Sequence, residues 1–514
     1  MKKIFLFTII ALLSASSLKA QTTSGKNFWV TYGKWAVLSS PAALNMQIRI
    51  AAGNLQTSVT IYFTSLGVSV PFTVHAYEVY TYDLTSDQKD AVYNTITGIN
   101  DYSIYISSSE EVSVYAYIGG GGSFDATNVL PITALGTEYY HCSYTNHVVS
   151  STTHMDAYAV VATEDNTLVS HNGETPITLH AGEVYYRTAT DVVDMTGSFI
   201  TANNPVALFA LHQSSLIPAG NPYGPSSILM QQLAPVKTWD NTFFVPVTVM
   251  EQEIVRIVAS QNDTEITTLT GGTVRLGVPE AQTDITNLQA GEWVELDISD
   301  TGCYIEANNP IGVCSYMMGL MLPPVFLSLP AQAWIPGIKQ TVSDALIAAF
   351  YAMNMSYITH RALICTPTDT KDNTTVSIGD APPAPLSGGS WIDNPTADMS
   401  FYSMPLTEET ASYLFSNPAG MIVLGYGVGV HPTYQSYYYL AGSSMRNLSA
   451  AFSANGVPYT EMEDHLFCVN EITFTTNISN IAEVDSMKWY KQKTSGNTPD
   501  LDYILITDIV EALR

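Results

Sequence analysis

An all-β fold built as an internal repeat array is the class this sequence predicts, and three observations predict it. A Thr followed two residues later by Val or Ile recurs after a polar turn, in Gln56-Thr57-Ser58-Val59, Asn166-Thr167-Leu168-Val169, Asp263-Thr264-Glu265-Ile266 and Asn373-Thr374-Thr375-Val376. The four Thr residues are spaced by 110, 97 and 110 positions. Short runs rich in Val, Ile and Tyr alternate throughout with Gly, Asn, Asp and Pro, the pattern of strands separated by tight turns. Further phrases recur downstream of each Thr in a fixed order, so the period marks a repeating structural unit.

Those phrases define the elements of one unit. His75-Ala-Tyr-Glu78, His180-Ala-Gly-Glu183 and Gln289-Ala-Gly-Glu292 each precede a strand, with Ser387-Gly-Gly-Ser390 as a degenerate fourth copy. Ala202-Asn-Asn-Pro205, Ala307-Asn-Asn-Pro310 and Phe415-Ser-Asn-Pro418 follow, with Ser108-Ser-Glu-Glu111 in the first copy. Leu130-Pro131, Ala234-Pro235, Leu329-Pro330 and Leu440-Ala441 are expected to close the units. In the third copy the strands are read at Ile254–Val258, Glu265–Leu269, Trp293–Ile298 and Tyr304–Glu306. Asn172-Gly173 predicts a two-residue hairpin between 168–170 and 176–179. Four units of about 100 residues across roughly 27–450, each with about eight strands, predict a β-propeller of seven or eight blades. Tandem β-sandwiches are the alternative. Ser343–Ser356 is read as either a helix or a buried strand. After about residue 455 the pattern changes. Cys468 on one strand and Trp489 on another suggest a partial immunoglobulin-like module over 455–514, following a repeat domain over 21–454.

Composition sets the limits on partners. The 514 residues carry 46 acidic and 19 basic side chains, a net charge of −27, yet only 13% are charged and 46% are hydrophobic. That apolar content excludes a disordered acidic chain, and so few Lys and Arg exclude nucleic acid as a partner. Met1 to Ala20 has the plan of a signal peptide: Lys2 and Lys3, then an apolar run from Ile4 to Leu13, then small residues up to Ala20. Ten apolar residues are too few to cross a bilayer about 30 Å thick. Without Lys2, Lys3 and Lys19, 16 basic residues face 46 acidic ones, about −30. The expected location is extracellular, on a bacterial outer surface or in the periplasm. No second membrane-spanning segment is expected.

No sequence motif for catalysis, cofactor or metal is found. The five cysteines lack C-x-x-C spacing, which excludes zinc-ribbon and thioredoxin-like sites. Cys303 and Cys314 are symmetric about Asn308-Asn309. A two-residue turn there would set them opposite each other, as a cross-strand disulfide or as two buried free thiols. Gly119–Gly122 is read as a loop. His141, His147 and His154 form the closest histidine group, and His171 and His180 flank one strand pair, but neither spacing is a metal signature. Glu78, Glu183 and Glu292 recur in different units. They are therefore read as turn residues that satisfy backbone donors, rather than as paired glycosidase carboxylates. The Asp165-Asn166, Asn262-Asp263 and Asp372-Asn373 turns are read as hairpin chemistry rather than calcium sites. The tyrosine groups at 77–82, 139–140, 185–186 and 437–439 offer either glycan- and protein-binding area or packing on half-buried sheets.

The ordered pattern resembles a known family. Gly25-Lys-Asn-Phe-Trp-Val-Thr31, Leu130-Pro-Ile-Thr-Ala-Leu-Gly-Thr-Glu-Tyr139, Val255-Arg-Ile-Val-Ala-Ser260 and the Ala-Gly-Glu and Asn-Asn-Pro phrases carry the likeness. Over about 25–450 they look like the N-terminal domain of the IgGFc-binding protein family, including secreted relatives in Bacteroidetes-type bacteria. The resemblance implies a non-catalytic extracellular binding or adhesion module without a cofactor. Its partner would be an extracellular protein or glycan, such as a host glycoprotein, mucin or polysaccharide. The rival readings are a glycan-degrading enzyme and a structural component of the cell envelope. The family offers no short motif from which Fc-contact residues can be carried over.

Overall fold

The computed structural model describes residues 22–445, apart from 36–37, 39, 121, 150–151, 191–192, 221–223, 323–325, 348–357, 409–410 and 431–433, and beyond them only strand backbone within 450–508. The expected signal peptide and Cys468 lie outside the described residues. Residues 21–445 form one compact unit; 1–20 and 446–514 are grouped in a second. In the second unit, Ala450–Ala454 pairs with Phe474–Ile478, and Lys488–Ser495 pairs with Thr498–Asp508, both antiparallel.

The large unit is all-β and is built on four curled antiparallel sheets, one for each repeat, beside two two-stranded ribbons: the hairpin of His147–Val149 with Thr152–His154 and a short parallel pair of Tyr32–Gly33 with Tyr93–Asn94. Each sheet is organised on one long strand: Ile104–Gly120, Phe199–Leu216, Cys303–Met317 and Tyr413–Val430. The two halves of a long strand take different partners. In the first repeat, 104–108 pairs with Thr57–Phe63, whereas 112–119 pairs with Asn45–Ala52. The others follow the same plan, with 206–212 paired to Asp156–Ala162 and 311–317 to Gln252–Ala259. The expected division into seven or eight four-stranded blades therefore does not appear. One continuous strand runs through both halves of a repeat and prevents them from separating.

The change of partner falls on the Asn-Asn-Pro phrases. Pro lacks the amide hydrogen that a central ladder position requires, so the strand bends there instead of continuing flat. The repeated Thr holds the bend. Thr57, Thr167, Thr264 and Thr374 are all buried. Asn204 Nδ2 donates to Thr167 Oγ1 at 3.2 Å, Asn309 Nδ2 to Thr264 Oγ1 at 3.4 Å, and Asn417 Nδ2 to Thr374 Oγ1 at 2.9 Å. In the first repeat, Ser109 Oγ lies 3.2 Å from Thr57 Oγ1. Two phrases about 40 residues apart in sequence are thus the two halves of one clamp.

This bend also revises the reading of Cys303 and Cys314. Asn308-Asn309 lies inside a continuous strand, not in a hairpin, so both cysteines sit on Cys303–Met317. Eleven residues of extended chain span about 36 Å, reduced but not closed by the bend. Both thiols are free and buried, the second of the two alternatives, and Cys142 and Cys365 are free as well.

A shorter inner strand follows each long one: Ser123–Val129, Ser226–Gln232, Ala331–Ile335 and Ser436–Gly442. Each inner strand packs on the next, and the fourth packs on the first, so the repeats close into a ring. Leu130-Pro131 and Ala234-Pro235 do end the first two units, with each Pro opening a single 3-10 turn. The other two expected closures shift. Leu329-Pro330 precedes the last strand of the third repeat, and Leu440-Ala441 lies within that of the fourth. The N-terminal segment supplies the missing link: Thr23 N–H donates to the Ser443 carbonyl at 3.2 Å, and Thr22 bridges Ser444.

Asn172 and Gly173 take positive φ, 48° and 74°, in the expected hairpin between Thr167–His171 and Ile177–Leu179. Val342–Ile347 is a strand, and the rest of the Ser343–Ser356 segment lies outside the described residues.

Candidate binding surface and buried polar centres

The axis of the ring is filled by polar side chains that cap backbone groups of neighbouring repeats. Asp125, on the first inner strand, is fully buried. Its carboxylate accepts the N–H of Ala126 at 2.9 Å, of Met230 on the second inner strand at 2.9 Å and of Tyr438 on the fourth at 3.3 Å. The Gln332 N–H on the third points to it as well. One side chain thereby ties all four inner strands. Burial pushes its carboxyl well above the usual carboxylate range, and the four amides oppose that shift. Thr127 Oγ1 accepts from Gln232 N–H at 2.8 Å, and Gln231 Oε1 from Trp334 N–H at 3.3 Å, extending the network.

A second centre lies between the second and third repeats. Arg256 is fully buried, with Nη1 2.7 Å from Asp194 Oδ2 and Nε 2.9 Å from Glu295 Oε2. Its guanidinium carbon is 4.1 Å from the ring centroids of both Tyr144 and Trp293. Arg275 reaches Glu295 from the surface side at 3.2 Å. The site is a neutralised, fully occupied core cluster with no room for a substrate. The Arg256 guanidinium opposes the burial penalty on Asp194 and holds that carboxyl below its ordinary range.

The recurrent carboxylates are turn elements. His180 N–H donates to Glu183 Oε2 at 2.7 Å, and Gln289 N–H to Glu292 Oε2 at 2.8 Å. Gly182 and Gly291 both have φ of 85°, and Tyr77 takes the same place at 61°. The aspartate turns are used in the same way: Asp165 Oδ1 accepts from Ala181 N–H and Asn262 Oδ1 from Ala290 N–H, both at 3.1 Å. Among the described residues, no three His, Cys, Asp or Glu side chains stand in metal-ligating geometry.

The histidines regroup. His141 pairs with Asp156 at 3.0 Å, both fully buried. His171 packs on Tyr158, whereas His180 stands 3.6 Å from Asp165, so the 171/180 pair does not form. His147 and His154 face each other across a hairpin with ring centroids 4.9 Å apart. They are joined by His212, which the sequence spacing missed because it arrives from the long strand more than 50 residues later.

Most of the tyrosine groups are interior. Tyr437, Tyr438, Tyr439, Tyr139, Tyr140 and Tyr186 are buried, while Tyr80, Tyr82 and Tyr185 are half-buried. Outward aromatic surface remains on several repeats, Tyr304 on the third and Trp391 on the fourth included, and two patches stand out on the first and second. On the first, Phe72 stacks on Tyr80 at 4.1 Å and lies 6.5 Å from Tyr82, beside exposed Leu66 and Val68. On the second, Tyr185 stands opposite exposed Ile99, which the first repeat contributes through Gly98–Asn100, with Ile96 exposed nearby in sequence. Two hollows are too small for a ligand: one beside Gly33 and Leu211 has essentially no room for water, and one at the first–fourth seam beside Thr23 and Asp344 has room of about 50 Å³. Flat, partly aromatic surface suits protein or glycan contact better than a small-molecule pocket does. No helix among the described residues is long and apolar enough to cross a membrane.

A family model described as IgGFc binding protein matches residues 125–427, more than half of the chain. Over 237 residues the chain is 27% identical to the IgGFc-binding protein of Homo sapiens, an alignment covering 43% of this chain and 4% of that protein.

Proposed function

The chain belongs to the IgGFc binding protein family, and from that membership we propose a non-catalytic binding protein acting outside the cell on an extracellular protein or glycan. The observation that carries this reading is the family match across the second and third repeats and most of the fourth, on a scaffold whose buried Asp125 and Arg256 centres, among the described residues, are committed to structure. The human relative's name speaks of immunoglobulin Fc; Fc is accordingly one ligand to be tested here, beside mucin and polysaccharide. Export through the Met1–Ala20 segment, placement at a bacterial surface and an immunoglobulin-like module over 455–514 belong to the same proposal.

The contact area in this reading is the aromatic face of the first repeat, where Phe72, Tyr80 and Tyr82 offer rigid amphipathic surface at low entropic cost. The test is binding of the secreted chain to immobilised Fc, mucin and a glycan array, compared with Phe72→Ser and Tyr80→Ser variants. Binding of at least one class, weakened about tenfold or more by either variant, is expected for an interface anchor. Absence of binding across the whole panel would overturn the functional reading. Binding unchanged in both variants would overturn the assignment of the face.

A further inference from the structure

We propose that the hairpin formed by His147–Val149 and Thr152–His154 holds a divalent transition-metal ion of the Zn²⁺ or Cu²⁺ class, with His147 and His154 as its protein ligands. The two residues are direct cross-strand partners, so their side chains leave the same face of the ribbon. Their rings lie 4.9 Å apart in an edge-to-face arrangement, close enough for one ion to bridge after modest ring rotation. Each has a buried Nδ1 with no hydrogen-bond partner among the described residues. Buried polar atoms are normally paired, and leaving one unpaired costs about 1–3 kcal/mol. Two such nitrogens side by side are poorly explained by packing alone.

The Ser214 backbone lies within reach of the His147 ring, and a proton held toward its carbonyl on Nε2 would leave the Nδ1 lone pair free for the ion. A backbone carbonyl behind the ring is the usual outer support of a metal-bound histidine. His212 stands close by, but its Nδ1 accepts the Ser214 N–H at 3.1 Å, so Nε2 carries the proton, with the Thr145 backbone within reach. It is therefore a neighbour of the ion and not a ligand in this arrangement. The site is a two-histidine pincer whose remaining positions are left to water or to a partner's side chain. Imidazole nitrogen selects Zn²⁺, Cu²⁺ or Ni²⁺ over Ca²⁺ and Mg²⁺. Half-buried His147 and exposed Val148 place the pincer within reach of solvent.

The experiment is isothermal titration of the metal-free secreted chain with Zn²⁺ and with Cu²⁺, alongside Co²⁺ absorption spectra. One bound equivalent and a rise in thermal midpoint are expected, since a ligand that binds only the folded state stabilises it. His147→Gln and His154→Gln should each weaken binding about tenfold or more, as expected for loss of one of two ligands. His180→Gln, at an exposed histidine elsewhere, should leave it unchanged. Urea midpoints of the variants without metal show that they are folded. No uptake of either metal, or uptake that survives in the His147→Gln/His154→Gln double variant, would overturn the site.

Discussion

Two junctions of the ring solve the same packing problem differently. Between the second and third repeats the chain is continuous through Pro235 and its 3-10 turn, and the buried side is ionic: Arg256, Asp194 and Glu295 between Tyr144 and Trp293. Between the fourth and first repeats, a separate core cluster brings together Tyr115, Tyr117, Phe124, Tyr413, Tyr437 and Tyr439. The peptide link there is replaced by the pairing of Thr22 and Thr23 with 443–444. Arg49 takes the place in the first repeat that Arg256 takes in the third, and it acts on Tyr115, Tyr439 and His360. A covalent junction imposes the geometry that a buried ion cluster needs. A seam closed without one relies on aromatic area, which tolerates small displacements.

The ionic junction should be the more fragile to a single change. Arg256→Met leaves Asp194 buried without its counter-charge and Glu295 with Arg275 alone, and a loss of about 3–5 kcal/mol in urea unfolding is expected. Combining it with Asp194→Asn and Glu295→Gln should recover much of that loss. Failure to recover would show that the rings, not the charges, hold the junction.

The seam should be acid-sensitive, as should the second repeat, where burial pushes His212 down to about 3 and His171 to about 4. Burial pushes the His360 imidazole down to about 3, with Arg49 adding to the effect, and Nδ1 lies 2.7 Å from Tyr437 Oη. Its folded pKa is below the unfolded value of about 6.5. The stabilisation from the neutral ring is therefore complete above pH 7 and is lost as pH falls toward 3. His360→Gln should remove on the order of 2–3 kcal/mol of the stability difference between pH 7 and pH 4, read from midpoints at each pH. An unchanged pH slope would move the acid sensitivity elsewhere.

Near the third–fourth boundary the sign is opposite. Burial raises Glu253 to about 7, against hydrogen bonds from Thr248 N–H at 2.8 Å and from Ser315 Oγ. The protonated form is favoured in the fold, so its contribution is present below about pH 4.3 and is lost as pH rises through 7. Glu253→Gln keeps both partners. It should gain about 2 kcal/mol over the parent at pH 9 and almost nothing at pH 4.

Smaller effects test the seam's hydrogen bonds and the clamp. Tyr115 Oη donates to the Leu346 carbonyl across the seam at 2.8 Å, so Tyr115→Phe should cost about 1–2 kcal/mol. Thr167→Val should cost about 1 kcal/mol by releasing Asn204 from the bend. Equal losses from the matching changes at Thr264 and Thr374 would show that the clamp is equivalent around the ring. A negligible loss would leave the bend to Pro alone.

Much of the architecture was legible because the repeated phrases report local backbone needs. Asn172-Gly173 demanded positive φ, and the Ala-Gly-Glu turns needed a glycine and a carboxylate to accept an amide. Such requirements act over a few residues, and sequence displays them directly. The Asn-Asn-Pro phrase was read as a hairpin because turn chemistry and a mid-strand bend use the same residues. Only the partners distinguish them, and these are Thr residues about 40 positions away. That one misreading also misplaced Cys303 and Cys314.

The sequence by itself determined four repeats, an all-β fold, the family resemblance and the turn role of Glu183 and Glu292, since periodicity and turn chemistry are local properties. Tertiary structure alone decided that the repeats close into a ring on Asp125, that Arg256 meets carboxylates from two repeats, and that His212 joins His147 and His154. These groupings depend on which strands become neighbours. That choice is set by burial of apolar faces between strands that lie far apart in the chain, and neither the repeat period nor local turn chemistry reports which of them meet.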